Sequence, residues 1–158
     1  MPDIVYLVRH ADALDPLEDG DDASRRLSRT GHLQVRKLAE LLRGGAFRPT
    51  AFWHSPLVRA RETAEALARH LRLTPTWLEW PELAPDVDPQ AMVGALRDAR
   101  GSIAVVGHEP HLSCLATLLV TDAPRPTVFL IPKATVLALE PGGSRWAVRW
   151  QVTPELFH

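Results

Sequence analysis

Ile4-Val5-Tyr6-Leu7-Val8 runs directly into Arg9-His10-Ala11. Five consecutive apolar residues, mostly β-branched or aromatic, fit a strand buried on both faces, as in parallel sheets. The strand ends in a cation and an imidazole. That C-terminal mouth is the edge at which open α/β sheets bind ligands.

Two more segments repeat the pattern of strand, polar residues, helix. The run at residues 50–54 leads into Ser55-Pro56-Leu57-Val58-Arg59-Ala60, and residues 102–106 lead into Gly107-His108-Glu109-Pro110. Helical spacing recurs after each mouth. Leu33, Val35, Leu38, Leu41 and Leu42 follow Thr30-Gly31 and stop at Gly44-Gly45. Thr63, Ala64, Leu67, Ala68 and Leu71 line one face of a second helix, which Ser55-Pro56 is expected to open as cap and first-turn proline. Residues 90–100 and 111–120 predict two more helices, and residues 76–78 a further strand before a loop with Pro81, Pro85 and Pro89. Residues 12–26 are polar and acidic and read as a loop. Near the end, Trp146, Val148, Trp150 and Val152 alternate with Ala147, Arg149 and Gln151, which predicts a strand with one buried face after a Gly142-Gly143 hairpin turn. The expected fold is a three-layer α/β/α sandwich with a mostly parallel central sheet, formed by one domain over residues 1–158.

Composition narrows the function classes. A formal net charge of −1 gives no basic excess for a nucleic-acid partner. No apolar run approaches the roughly 20 residues of a membrane span, and no charged leader precedes the first strand, so the cytoplasm is the expected location. Cys114 is the single cysteine, expected to be packed in a helix. No Cys/His cluster has metal-ligand spacing, and the seven histidines are not accompanied by carboxylates at the strand ends as a metal hydrolase requires. We expect neither metal nor cofactor.

In a parallel sheet the three mouths converge, bringing His10 and His108 together with Arg9 and Arg59. Guanidinium forks match phosphoryl oxygens, and neutral imidazole is a nucleophile near pH 7. Arg9-His10, Ser55-Pro56-x-x-Arg59-Ala60 and Gly107-His108, in this order, resemble the histidine phosphatase (phosphoglycerate mutase-like) superfamily. That resemblance implies His10 as the residue that accepts the phosphoryl group, His108 as the second catalytic imidazole, and Arg9 and Arg59 as phosphate clamps. Short length and Arg25-Arg26-Leu27-Ser28-x-x-Gly31 look most like the SixA-type phosphohistidine phosphatases, which adds Arg25 as a phosphate-binding candidate. Arg26 stands where that group has proline, Ala11 where the superfamily usually has glycine, and Glu109 where related members often have asparagine.

The superfamily's phosphomonoesterases carry a Glu in a Leu-x-Glu pattern, whereas this chain reads Leu83-Ala84-Pro85. An alkoxide needs a proton donor to leave and an imidazole far less. The resemblance therefore points to P–N cleavage on a phosphorylated protein, with no large insertion between Arg59 and His108 to fold over the site. The alternative is a small phosphorylated substrate with Glu82 or Asp12 as acid. A third reading, a catalytically idle phosphate-binding module, is disfavoured by the intact Arg9, His10, Arg59 and His108. Trp80 is expected at the pocket rim and Trp146 with Trp150 in the core.

Overall fold

The computed structural model describes residues 1–17 and 20–156; part of the expected 12–26 loop, residues 18–19, lies outside them. Six strands form one sheet: β1 (Val5–Arg9), β2 (Ala51–His54), β3 (Thr76–Glu79), β4 (Ile103–Gly107), β5 (Val136–Glu140) and β6 (Ala147–Val152). Their order is β3-β2-β4-β1-β5-β6. β1 pairs parallel with β4, and β2 parallel with both β3 and β4, while β5 and β6 complete the sheet antiparallel. The mostly parallel sandwich expected from the sequence is what the chain forms.

Alternation along the central strands builds two cores. Tyr6, Val8, Phe52, Ala104 and Val106 face α1 (Arg29–Leu42) and α2 (Val58–His70), against Val35, Leu38, Ala64 and Leu67. Val5, Leu7, Trp53, Ile103 and Val105 face α3 (Gln90–Asp98) and α4 (His111–Thr121), against Met92, Leu96, Leu112 and Leu115. Burial on both faces is why these strands read as unbroken apolar runs. Cys114 is buried and free.

Three details differ from the sequence reading. α2 starts at Val58, with Leu57 as its N-cap and no side-chain cap. Ser55 instead accepts a hydrogen bond from Leu57 N–H, 3.1 Å away, and is held for another purpose described below. The last strand does not keep one buried face. A bulge at its pairing with Ala138 and Leu139 leaves Arg149 between Val148 and Trp150. One extra residue reverses the facing, so Trp146 packs on the α3/α4 side and Trp150 with Val152 on the α1/α2 side, while Val148 is exposed. Trp80, expected at a rim, is half-buried: its ring tilts against Trp53 with centroids 4.9 Å apart and packs on the α3/α4 core.

Among the described residues no helix is long and apolar enough to cross a membrane.

Candidate active site

β2, β4 and β1 are neighbours running the same way, so their C-terminal ends open side by side. The ladder continues one residue past each strand: His10 N–H donates to Gly107 O (3.0 Å) and Ser55 N–H to Val106 O (3.1 Å). Backbone hydrogen bonding therefore fixes His10, Ser55 and His108 relative to one another before any side chain contributes. Ala11 needs no left-handed backbone, being absent from the positive-φ residues, and its N–H donates to Thr63 Oγ1 at 3.0 Å.

The rings of His10 and His108 lie 5.1 Å apart, centroid to centroid. His10 Nδ1 is 2.7 Å from Ala11 O. A carbonyl only accepts, so Nδ1 carries the proton and Nε2 keeps its lone pair. Burial pushes the His10 pKa down to about 4, aided by the charges of Arg59, Arg9 and Lys133 and opposed by the bond to Ala11. Burial likewise lowers His108 to about 3, helped by His10 and Arg59. Both rings are neutral at pH 7, the state a nucleophilic imidazole requires.

Arg59 rises from the first turn of α2 and is almost fully buried. Its Nη1 donates to Asp22 O at 2.9 Å and its Nη2 to Asp22 Oδ2 at 3.1 Å. Arg9 Nη1 donates to Ile131 O at 3.2 Å. Arg9 Nε, Arg59 Nε and His108 Nδ1 are buried with no hydrogen-bond partner among the described residues. Each such group costs about 1–3 kcal/mol if left unmet, and native interiors seldom accept that cost. An anion bearing several oxygens is the ligand this set of nitrogens suits.

The other candidates have been given partners. Arg25 Nε donates to Leu14 O (2.7 Å) and Nη1 to Asp22 Oδ1 (3.0 Å). It is joined to Arg59 through the shared Asp22. Asp12 is gripped by Lys133 Nζ at 2.8 Å and by Ser28 Oγ at 2.5 Å, which hold its carboxyl below the usual carboxylate range. That favours the ionised form, the wrong state for an acid. Glu82 lies in the short turn Pro81–Leu83, and its backbone carbonyl accepts from His111 Nε2 at 3.0 Å. Glu109 turns away to the N-terminus of α4, where it accepts from Ser113 N–H (2.9 Å) and from the Ser113 hydroxyl. Among the described residues no three His, Cys, Asp or Glu side chains are grouped to hold a metal ion.

The sequence reading missed Asp22, Ser55 and Lys133. Asp22 sits in the turn Asp22–Ser24 within the acidic loop, and nothing local marks it as the partner of an arginine 37 positions away. Ser55 lies inside a quoted motif, where its cap signal concealed a contact of 2.7 Å between its Oγ and His108 Nε2.

Two imidazoles and two guanidinium groups gathered at three parallel strand ends are an arrangement with known relatives. The histidine phosphatase superfamily (branch 1) model matches residues 5–84, just over half of the chain, and the chain belongs to that family of phosphatases. Among curated proteins, it is 27% identical over 154 residues to phosphohistidine phosphatase SixA of Escherichia coli (strain K12), covering 95% of this chain and 93% of that one. Its fold is similar to the solved structure of the protein histidine phosphatase SixA complexed with tungstate, at a TM-score of 0.86 and 24% identity over 98% of this chain and 99% of the other. It is also similar to the alpha-ribazole phosphatase of Shigella flexneri, at a TM-score of 0.69 and 18% identity over 96% of each.

Proposed function

We propose that the chain, acting as one domain, is a cytoplasmic, metal-independent phosphohistidine phosphatase with a phosphorylated protein as substrate. The observation that carries this reading is a neutral His10 whose free Nε2 lies under the field of Arg9 and Arg59. Nε2 attacks phosphorus as the P–N bond of the substrate breaks, and the substrate ring, already protonated on its other nitrogen, departs as neutral imidazole. Water then attacks the phosphoryl group on His10, releasing inorganic phosphate, neutral His10 and a proton to solvent. Arg9, Arg59 and His108 stabilise the phosphoryl charge in both steps, and Arg25 steadies Arg59 through Asp22.

Two features favour a protein substrate over a small ester. Asp12 and Asp22 are both held toward ionisation, Asp22 chiefly by Arg25 and Arg59, so neither suits the role of acid. The stretch between Arg59 and His108 is spent on α2, β3, the Pro81–Leu83 turn, α3 and β4, with no excess to enclose a small ligand. The deciding experiment offers purified enzyme a phosphohistidine-bearing protein and a panel of phosphomonoesters. Preference for any ester over the phosphoprotein would overturn the substrate reading.

Arg59→Ala should lower kcat by roughly 100- to 1,000-fold, the scale for losing one preorganised donor. Arg59→Lys should recover little, because a point charge cannot replace the fork. A near-normal rate in Arg59→Ala would remove it from the site. Excess EDTA should leave the rate unchanged, since guanidinium groups supply the positive field a metal would bring. Loss of activity restored by one divalent ion would contradict this.

The acid limb of kcat/KM follows from the sign of the His10 shift. Its pKa is lowered to about 4, so protonation removes the nucleophile only near that pH. Corrected for substrate ionisation, the rate should hold between pH 8 and 5.5, where an imidazole at the ordinary 6.5 would already lose about tenfold. A limb near 6.5 would show that His10 is not desolvated in the working enzyme.

A further inference from the structure

We infer that Ser55 is a positioning residue that fixes His108 in its Nδ1–H tautomer, so that the second imidazole meets the phosphoryl group as a neutral N–H donor. The inference rests on the proposed role of His108 and adds how that ring is set.

Every polar atom around Ser55 and His108 must find its hydrogen-bond partner within the protein or a ligand. Ser55 has no exposed surface and His108 is 2% exposed, so solvent is not an available partner for either. A serine hydroxyl has one proton and two acceptor sites. Leu57 N–H, at 3.1 Å, takes one acceptor site of Ser55 Oγ. The only other partner of Oγ among the described residues is His108 Nε2, at 2.7 Å. If Nε2 carried the ring proton and donated it, the Ser55 hydroxyl proton would be buried without an acceptor. With the hydroxyl donating to Nε2, both bonds of Oγ are satisfied, and the one proton left without a protein acceptor is on His108 Nδ1. A bound ligand can meet that proton, whereas Ser55, with no exposed surface, has no acceptor to offer its own, which makes the hydroxyl proton the costlier one to leave unmet.

The neutral ring then has its proton on Nδ1, the nitrogen that is buried with no partner among the described residues. An N–H in that position needs an acceptor, and a phosphoryl oxygen provides one. With the other tautomer, Nδ1 would present a lone pair to an anion and repel it. The partner on the far nitrogen decides which face of a histidine works, and here that partner comes from the mouth of β2, while His108 comes from the mouth of β4. The same Ser55 hydroxyl also receives the first free N–H before α2, which ties the tautomer to the entry of the helix carrying Arg59.

The test has two arms. Nitrogen-15 NMR of the full-length wild-type protein should show His108 with a protonated Nδ1 and an unprotonated, hydrogen-bonded Nε2. In Ser55→Ala the Nε2 signal should move toward the protonated type, and kcat should fall roughly 10- to 100-fold, the usual scale for losing a partner behind a working ligand, with KM little changed. A wild-type His108 protonated on Nε2 would overturn the inference without any variant having to fold. So would an unchanged kcat in folded Ser55→Ala. His108→Ala, assayed alongside, separates the two levels. Full activity there would refute His108 as a donor altogether, whereas an inactive His108→Ala with Nε2–H in the wild type would refute only the role of Ser55.

Discussion

His10→Ala is expected to abolish turnover, a loss on the order of 10⁴-fold or more as for a removed nucleophile, while the protein stays folded. The nucleophile is the one group whose absence no neighbour can cover. His108 Nε2 is occupied by Ser55, and the ring of His54 packs at the edge of Trp77, 6.4 Å centroid to centroid. The fold should tolerate the change because His10 belongs to neither apolar core. Its one side-chain bond, to Ala11 O, is worth about 1 kcal/mol, and its backbone N–H still donates to Gly107. Brief incubation of the wild-type enzyme with substrate should trap an acid-labile, base-stable phosphoryl group on His10, and His10→Ala should take up none. Labelling that persists in the variant, with the far-ultraviolet spectrum intact, would place the covalent step on another residue.

How much of this was legible in the sequence depended on whether the needed information was local. The three strand mouths could be read because each pairs an apolar run with its polar successor inside about ten residues. Parallel pairing then forces Arg9-His10, Ser55 and His108 together, and the structure does so with β2, β4 and β1 adjacent. Gly31 was read as part of a motif, and its physical reason appears only in three dimensions: a Cβ there would lie 2.0 Å from Asp12 O, so α1 can approach the loop after β1 only without a side chain. The Asp22 partnership with Arg59 was invisible for the same reason. An aspartate among acidic neighbours carries no sign of a distant guanidinium. Ser55 illustrates a conflict between levels. Ser-Pro is a sound helix-opening signal, yet the hydroxyl is claimed by His108, and α2 begins three residues later on an uncapped Leu57. The bulge that turns Trp150 away from the face of Trp146 has no glycine to announce it, so strict alternation was the natural and mistaken reading of the last strand.

The second large effect concerns the leaving group. With phosphomonoesters, the rate should fall steeply as the leaving alcohol becomes more basic, so that aryl phosphates react measurably and alkyl phosphates hardly at all. Phosphohistidine should react faster than either. Each leaving group has its own need as its bond to phosphorus breaks. An alkoxide must be protonated in the transition state and depends on an enzyme acid. An aryloxide tolerates its own charge, and a phosphohistidine ring near neutral pH carries a proton already. Three carboxylates near the strand mouths are committed elsewhere. Asp12 is committed to Lys133 and Ser28, Asp22 to Arg25 and Arg59, and Glu109 to the start of α4. Pro85, which stands where the superfamily's esterases are expected to carry their acid, lines a cavity with His111 and Arg125 and has no proton to give. Equal rates on aryl and alkyl esters in the wild-type enzyme would mean that an acid is present after all. Glu82 is then the residue to replace first, since the bond from His111 to its carbonyl fixes its backbone and leaves its carboxyl uncommitted among the described residues. Loss of alkyl turnover in Glu82→Gln would recast the chain as a general phosphomonoesterase on the same four-residue site.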